Sequence, residues 1–185
     1  PREYTVDQIQ KGKLYFVKFG GAKGGKGFFR IQSAEELEQQ LKNLIGSGLL
    51  SEKETKNFTI QDYVQGSRYY HHFFYSPLSQ DGWKIETNNK NAGSLMIMGI
   101  DRRDETNIDD LHRTGLNPSE MREMGIVPSY SVAGNIPLIL RESQLPKVFE
   151  LAEKTVKASI KLFPPGMVGP FCLETFCTPD LRYIT

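Results

Sequence analysis

Cysteine is scarce in this chain of 185 residues: it has two, Cys172 and Cys177, against eleven Phe and eight Tyr. Their spacing fits neither a zinc knuckle nor a redox CxxC pair, so no disulfide framework or structural zinc is expected and a reducing cytoplasm suits the chain best. Long apolar runs are missing as well. Stretches such as Ser94-Leu95-Met96-Ile97-Met98-Gly99-Ile100 are strand-length, far below the roughly 20 residues of a bilayer span, so no membrane association is expected. The opening Pro1-Arg2-Glu3-Tyr4-Thr5-Val6-Asp7 has no apolar stretch after its basic residue and does not read as a signal peptide. Net charge is only +1, which gives no global reason for nucleic acid as a partner. One further absence is local. No acidic residue occurs from Gln8 to Ala34, where Lys11, Lys13, Lys18, Lys23, Lys26 and Arg30 give +6 and leave −5 for the rest of the chain. That segment suits a polyanion. With 38% hydrophobic and 11% aromatic residues, the chain has the makings of a folded, soluble protein with one domain or two small lobes around a cleft.

Periodicity supplies the elements. Leu14–Phe19 and Gly27–Ile31 are dominated by aromatic and β-branched residues and read as strands around a glycine-rich loop, residues 20–26. Ser33-x-x-Glu36 is a capping box opening a helix with Leu37, Leu41, Leu44 and Ile45 on one face, ending near Gly46 or Gly48. Residues 58–64 and 68–75 read as strands, 81–93 as a polar loop and 95–100 as a further strand. Asn117 caps a short helix with Pro118 at its first position. Residues 129–140 are extended, with Gly134-Asn135-Ile136-Pro137 as an interruption. Ser143 is expected to cap a long helix bearing Val148, Leu151, Ala152, Val156 and Ile160, which Pro164-Pro165-Gly166 stops. Residues 167–177 and 181–185 form a closing hairpin. Its abrupt end, like the abrupt start, points to a fragment.

The glycine loop excludes two common nucleotide motifs. Gly20-x-x-x-x-Gly25-Lys26 opens like a P-loop, but Gly27 stands where a magnesium-binding Ser or Thr is needed, and a strand pattern follows in place of a helix. The dinucleotide fingerprint G-x-G-x-x-G fails in register. What remains is a hairpin flap whose backbone amides can approach phosphate oxygens while lysines neutralise charge. A solvated hairpin with incidental lysines, and an oligonucleotide contact through Lys23, Lys26, Arg30 and a stacking Phe28 or Phe29, are the competing readings.

Later motifs are more specific: Ile60-Gln61-Asp62-Tyr63-Val64, His72-Phe73-Phe74-Tyr75-Ser76-Pro77-Leu78, Gly99-Ile100-Asp101-Arg102-Arg103, Gly134-Asn135-Ile136-Pro137, Leu140-Arg141-Glu142-Ser143 and residues 164–175. In order and spacing, with the flap, they resemble the archaeal formate-dependent FAICAR synthetase family of purine biosynthesis, ATP-grasp ligases that join formate to AICAR through an acyl phosphate. The resemblance covers nearly the whole chain. It implies an α/β (α+β) ATP-grasp fold, with a small flap lobe over residues 1–64 and a larger antiparallel-sheet lobe over 65–185, and ATP between them. ATP and Mg2+ (or Mn2+) are the implied cofactors, AICAR and formate the substrates, and a homo-oligomer the state of the full-length protein. The family's N-terminal domain and its C-terminal tail are not in this chain, which is therefore expected not to turn over alone. A relative acting on another carboxylate and amine, and a non-catalytic nucleotide- or nucleic-acid-binding module, are the alternatives.

The resemblance also implies roles. Lys18 reaches an ATP phosphate, with Gly20, Gly21, Gly24, Gly25, Lys26 and Gly27 closing over it. Gln61, Asp62, Tyr63 and Val64 form the adenine segment, although Asp62 stands where the family usually has Glu, and no acid follows nearby to hold the ribose. Glu174, in a stretch of apolar neighbours, becomes the first magnesium ligand, the second lying beyond Thr185. Asn135 is the candidate contact to AICAR. Arg102, Arg103 and Arg141 are each suited to a bidentate hold on phosphate or formate, Arg141 first as a catalytic group and Arg102 as a substrate contact, or else to pairing with Asp101, Asp104 or Glu142.

Overall fold

Aromatic and β-branched alternation builds two antiparallel sheets, each backed by a helix. The structure, a computed structural model, describes residues 2–23, 26–48, 50–88 and 90–185, apart from the side chains of 21–23, 26, 112 and 118. The chain divides into two compact units, Pro1–Val64 with Glu105–Ser131, and Gln65–Asp104 with Val132–Thr185. Residues 105–131, placed with the larger lobe by the sequence reading, thus cluster with the first unit. None of the described helices is long and apolar enough to cross a membrane.

The first unit contains β1 (Glu3–Tyr4), β2 (Tyr15–Lys23), β3 (Lys26–Ile31), α1 (Ala34–Gly46), β4 (Phe58–Asp62), α2 (Ile108–Thr114) and α3 (Pro118–Glu123). Its sheet runs β1-β4-β2-β3. Alternation along β2 sends Tyr15 and Val17 into a core with Ile31, Ile60 and Leu37, against which Leu41, Phe29 and Phe58 pack. Ser33 caps α1 as expected, its Oγ accepting from the Glu36 amide at 3.2 Å, but Glu36 Oε2 accepts from the Gln32 amide at 2.7 Å, one residue before the Ser33 amide that a capping box would engage. α3 likewise has Asn117 as N-cap. The sequence reading left α2 out, because Ile108 and Leu111 are too few apolar positions to establish a period.

The second unit contains β5 (Ser67–Ser76), β6 (Trp83–Thr87), β7 (Lys90–Glu105), β8 (Val132–Pro137), α4 (Leu145–Leu162), β9 (Gly169–Cys177) and β10 (Tyr183–Ile184). The strand order is β10-β9-β5-β7-β6, with β8 also pairing with β7. Val148, Ala152 and Val156 of α4 meet Phe73, Tyr75, Ile85 and Leu95 in a fully buried core. Three expectations need correction. The polar loop 81–93 is instead β6 and the start of β7, held because Ile85 enters the core and Trp83 stacks on Phe149 (centroids 5.1 Å apart) while donating to Glu153 at 2.8 Å. Gly134-Asn135-Ile136-Pro137 does not interrupt a strand but lies within β8. Ser143 does not cap α4: it sits in a 3-10 turn, Glu142–Gln144, that runs straight into the helix, leaving Gln144 as N-cap without a side-chain hydrogen bond.

Candidate functional site

Each sheet has one face on its core and a second face carrying polar groups. In the first unit, cross-strand partners share a face, so Lys18, opposite Phe28 and Thr59, lies beside Phe16, opposite Arg30 and Gln61. Phe16 stacks on Phe28 at 4.7 Å and on Tyr63 at 6.0 Å, and the Lys18 ammonium lies 5.8 Å from the Phe16 ring centre. Lys18 and Phe28 are exposed. The aromatic row and the cation are therefore side by side on the face turned away from the Tyr15–Leu37 core. Gly20 and Gly21 continue β2, and Gly27 in β3 has φ of +78°, a conformation that side chains resist. Gly24, Gly25 and the Lys26 side chain lie outside the described residues.

Asp62 takes the other face. Its carboxylate accepts from the Tyr4 hydroxyl at 2.7 Å and pairs with the Lys13 ammonium at 2.8 Å. Burial acts to raise the Asp62 carboxyl, but the Lys13 and Tyr4 hydrogen bonds prevail and hold it below the usual carboxylate range. Lys13 is raised in turn, chiefly by its hydrogen bond to Asp62 and then by Tyr4. The Asp62 side chain is thus committed to a local network that ties β4 to the β1 end of the sheet. Gln61, whose amide donates to Glu3 at 3.1 Å, shares the Lys18 face.

In the second unit the register of β9, β5 and β7 sets Glu174, Tyr70 and Asp101 in one row and Cys172, His72 and Gly99 in the next. Leu173 and Thr175 turn to the α4 side, opposite His71 and Tyr69. Glu174 was expected among apolar neighbours. Alternation instead puts it on the polar face, with its side chain 49% exposed. Glu174 Oε1 accepts from the Tyr70 hydroxyl at 3.0 Å and lies 3.7 Å from Arg68 Nη1. Both of these contacts fall on Oε1. Tyr70 is buried, with the Arg103 guanidinium 4.2 Å from its ring centre. Burial pushes the Tyr70 hydroxyl up to about 12, with Arg68 opposing and Glu174 adding to the rise, so Tyr70 is a neutral donor at pH 7. Among the described residues, no three His, Cys, Asp or Glu side chains gather as a metal cluster.

The other expected site residues of this unit are at exposed positions. Asn135 is exposed on β8, and Arg141 is exposed just before the 3-10 turn that precedes α4. Arg102 is exposed too, but it follows Asp101 and precedes Arg103 on β7, so the arginine over Tyr70 is Arg103. Tyr70, Arg68 and Asp101 were missed as site members. The signal was the alternation Arg68, Tyr70, His72 along a strand whose intervening residues are apolar or core-facing.

The fold is of the ATP-grasp type. The crystal structure of an IMP biosynthesis protein PurP from Thermococcus kodakaraensis matches with a TM-score of 0.55 at 21% identity, covering 99% of this chain and 45% of that one. A family described as "Domain of unknown function (DUF1297)" matches residues 36–185, and the chain belongs to it. Among curated proteins, the 5-formaminoimidazole-4-carboxamide-1-(beta)-D-ribofuranosyl 5'-monophosphate synthetase of Methanothrix thermoacetophila is 46% identical over 90% of this chain and 42% of its own length. The protein of the same name from Methanocaldococcus jannaschii is 38% identical over 100% of this chain and 46% of its own length. The chain thus spans less than half the length of these curated relatives. The resemblance to the archaeal FAICAR synthetase family, drawn from the motifs, is borne out.

Proposed function

We propose that this chain carries the ATP-grasp portion of an ATP- and magnesium-dependent carbon–nitrogen ligase that joins formate to AICAR, giving FAICAR, ADP and phosphate. The observation that carries the reading is that relatives bearing the synthetase name align with 90–100% of this chain. The chemistry asks for what the two polar faces offer. Formate is a poor electrophile until it is phosphorylated to formyl phosphate, so the γ-phosphate must be positioned and its charge neutralised.

In the first unit, Lys18 with Gly20, Gly21, Gly24, Gly25, Lys26 and Gly27 hold the phosphates. Gln61, Tyr63 and Val64 supply the adenine segment, beside the aromatic row of Phe16 and Phe28. Asp62 contributes by fixing that segment through Lys13 and Tyr4, the shorter acid having turned to the other face. In the second unit, Glu174 would hold magnesium or manganese by its carboxylate. Its single carboxylate fits a hard cation that takes its remaining ligands from phosphate oxygens and water. The metal supplies charge neutralisation on the phosphates. Asn135 and Arg102 meet AICAR, and Arg141 grips formate or its phosphate bidentately. A cytoplasmic location and an assembly of several copies belong to the same reading.

Calorimetric titration of ATP with and without magnesium tests it. Lys18→Ala is expected to weaken ATP binding at least tenfold, and Glu174→Gln to abolish the magnesium dependence while leaving metal-free binding intact. Because Lys18 and Glu174 belong to different units, the two variants read the two halves separately. ATP binding indifferent to both substitutions, together with binding of a single-stranded oligonucleotide, overturns the ligase in favour of a non-catalytic module.

A further inference from the structure

A second constellation lies beside Glu174 on the polar face of the second unit. His72 Nε2 is 2.7 Å from Asp101 Oδ2, and no hydrogen bond to a described residue engages Nδ1. Next to this pair the β5–β7 ladder slips. His72 faces Gly99 and Phe73 faces Ile97, so Met98 is an extra residue and β7 bulges there. Bulges of this kind re-aim side chains and cluster beside active sites. Gly99 itself is not needed by the fold. Its φ is not in the positive range, and a Cβ built on it would meet nothing within 4 Å. A glycine inside a long strand weakens it, and here the empty position leaves open a groove of about 500 Å³ lined by His72, Met98, Gly99, Pro170, Phe171 and Cys172 among others. Its walls are mainly apolar, with the His72 imidazole and the Cys172 thiol as the polar side chains. That combination suits a flat heteroaromatic amine.

We propose that this groove seats the amine substrate and that His72, held by Asp101, is the base that accepts the amine proton. The inference rests on the ligase reading above and adds a residue to it. Asp101 accepts from Nε2–H, which leaves the Nδ1 lone pair as the acceptor and provides a counter-charge for the imidazolium. The amine nitrogen attacks the carbonyl carbon of formyl phosphate and forms the C–N bond. The C–O bond to phosphate breaks, phosphate departs with the electron pair, and the surplus proton on nitrogen passes to Nδ1. An aromatic amine attached to an imidazole is weakly nucleophilic, so removing its proton during attack is worth a large factor. The titratable and charged groups around His72 are Tyr70 and His71 on its own strand, Asp101 and Arg103 on β7, and Cys172 and Glu174 on β9. Among these, Asp101 is the group that hydrogen-bonds the imidazole.

The test uses the full-length protein and separates the two chemical steps. Formate-dependent positional isotope exchange in ATP, measured without the amine, reports formyl phosphate formation. Wild-type protein is expected to show it. His72→Gln is expected to keep the exchange within about threefold while kcat for ligation falls about 100-fold. Asp101→Asn is expected to lower kcat for ligation about tenfold while keeping the exchange within about threefold, the split of a residue that positions the base. Gly99→Val is expected to raise KM for the amine at least tenfold and leave KM for ATP unchanged. His72→Gln ligating at the wild-type rate overturns the role of His72 and leaves the ligase standing, as does joint loss of exchange and ligation in a variant that still binds ATP. Wild-type protein without formate-dependent exchange sinks the ligase reading, and the role of His72 with it.

Discussion

Two adjacent histidines on β5 have opposite environments because a strand turns successive side chains to opposite faces. His72 sits on the polar face against Asp101, whereas His71 is fully buried, with Nε2 2.9 Å from the Thr175 hydroxyl and Nδ1 without a hydrogen-bond partner among the described residues. Burial, with a smaller contribution from His72, lowers His71 to about 4 from its ordinary 6.5. The sign of the linkage follows. Below pH 6.5 the unfolded chain takes up a proton that the native chain refuses until about pH 4. His71 therefore contributes nothing adverse above pH 6.5, and stability falls as pH drops through that window by up to ~1.4 kcal/mol per pH unit. Urea unfolding at pH 6.5 and pH 5 should show wild-type protein losing ~1.5 kcal/mol more than His71→Gln over that interval, whatever the offset between the two at pH 6.5. Parallel curves for both would show that His71 carries no such linkage. Asp62 makes a similar point. A carboxylate expected at the adenine segment is engaged by Lys13 and Tyr4 on the far side of its strand.

Elements with local punctuation formed where their residues predict. Asn117 is the clearest: its Oδ1 accepts from the amides of Ser119 and Glu120 at 2.9 and 3.1 Å, and Glu120 Oε2 accepts the Asn117 amide in return at 2.7 Å. Asn117→Ala is expected to destabilise the first unit by about 1 kcal/mol, read as a lower urea midpoint with an unchanged slope; an unmoved midpoint would mean that α3 is held by packing alone. Elements without punctuation were harder to see. The sequence reading takes this strand as six residues, 95–100, yet β7 runs over sixteen, because it is held by pairing with β6, β5 and β8 and not by apolar content alone. Ser143 has the chemistry of a cap but lies one residue too early, since a 3-10 turn absorbs the start of α4.

At the scale of the whole chain there are two units with separate cores, one around Tyr15, Val17, Ile31, Leu37 and Ile60 and one around Phe73, Tyr75, Ile85, Leu95 and Val148. Leu37→Ala, which removes a side chain only 2% exposed, is expected to cost the first unit about 2–5 kcal/mol. Hydrogen exchange should then quicken in α1 and β2–β4 while the amides of β5, β7 and β9 keep their protection, and uniform acceleration would show one cooperative body in place of two. Most of the strands, the two principal helices and the family were legible in the residue order because local propensity, capping and motif spacing are properties of neighbouring residues. Which side chains gather into a site was not. Glu174, Tyr70 and Asp101 come from three strands, and only the register that joins those strands decides that they form a row, that Cys172, His72 and Gly99 form the next, and that Asp62 turns away. Register depends on which faces the core can bury, a property of the packed sheet that no single segment contains.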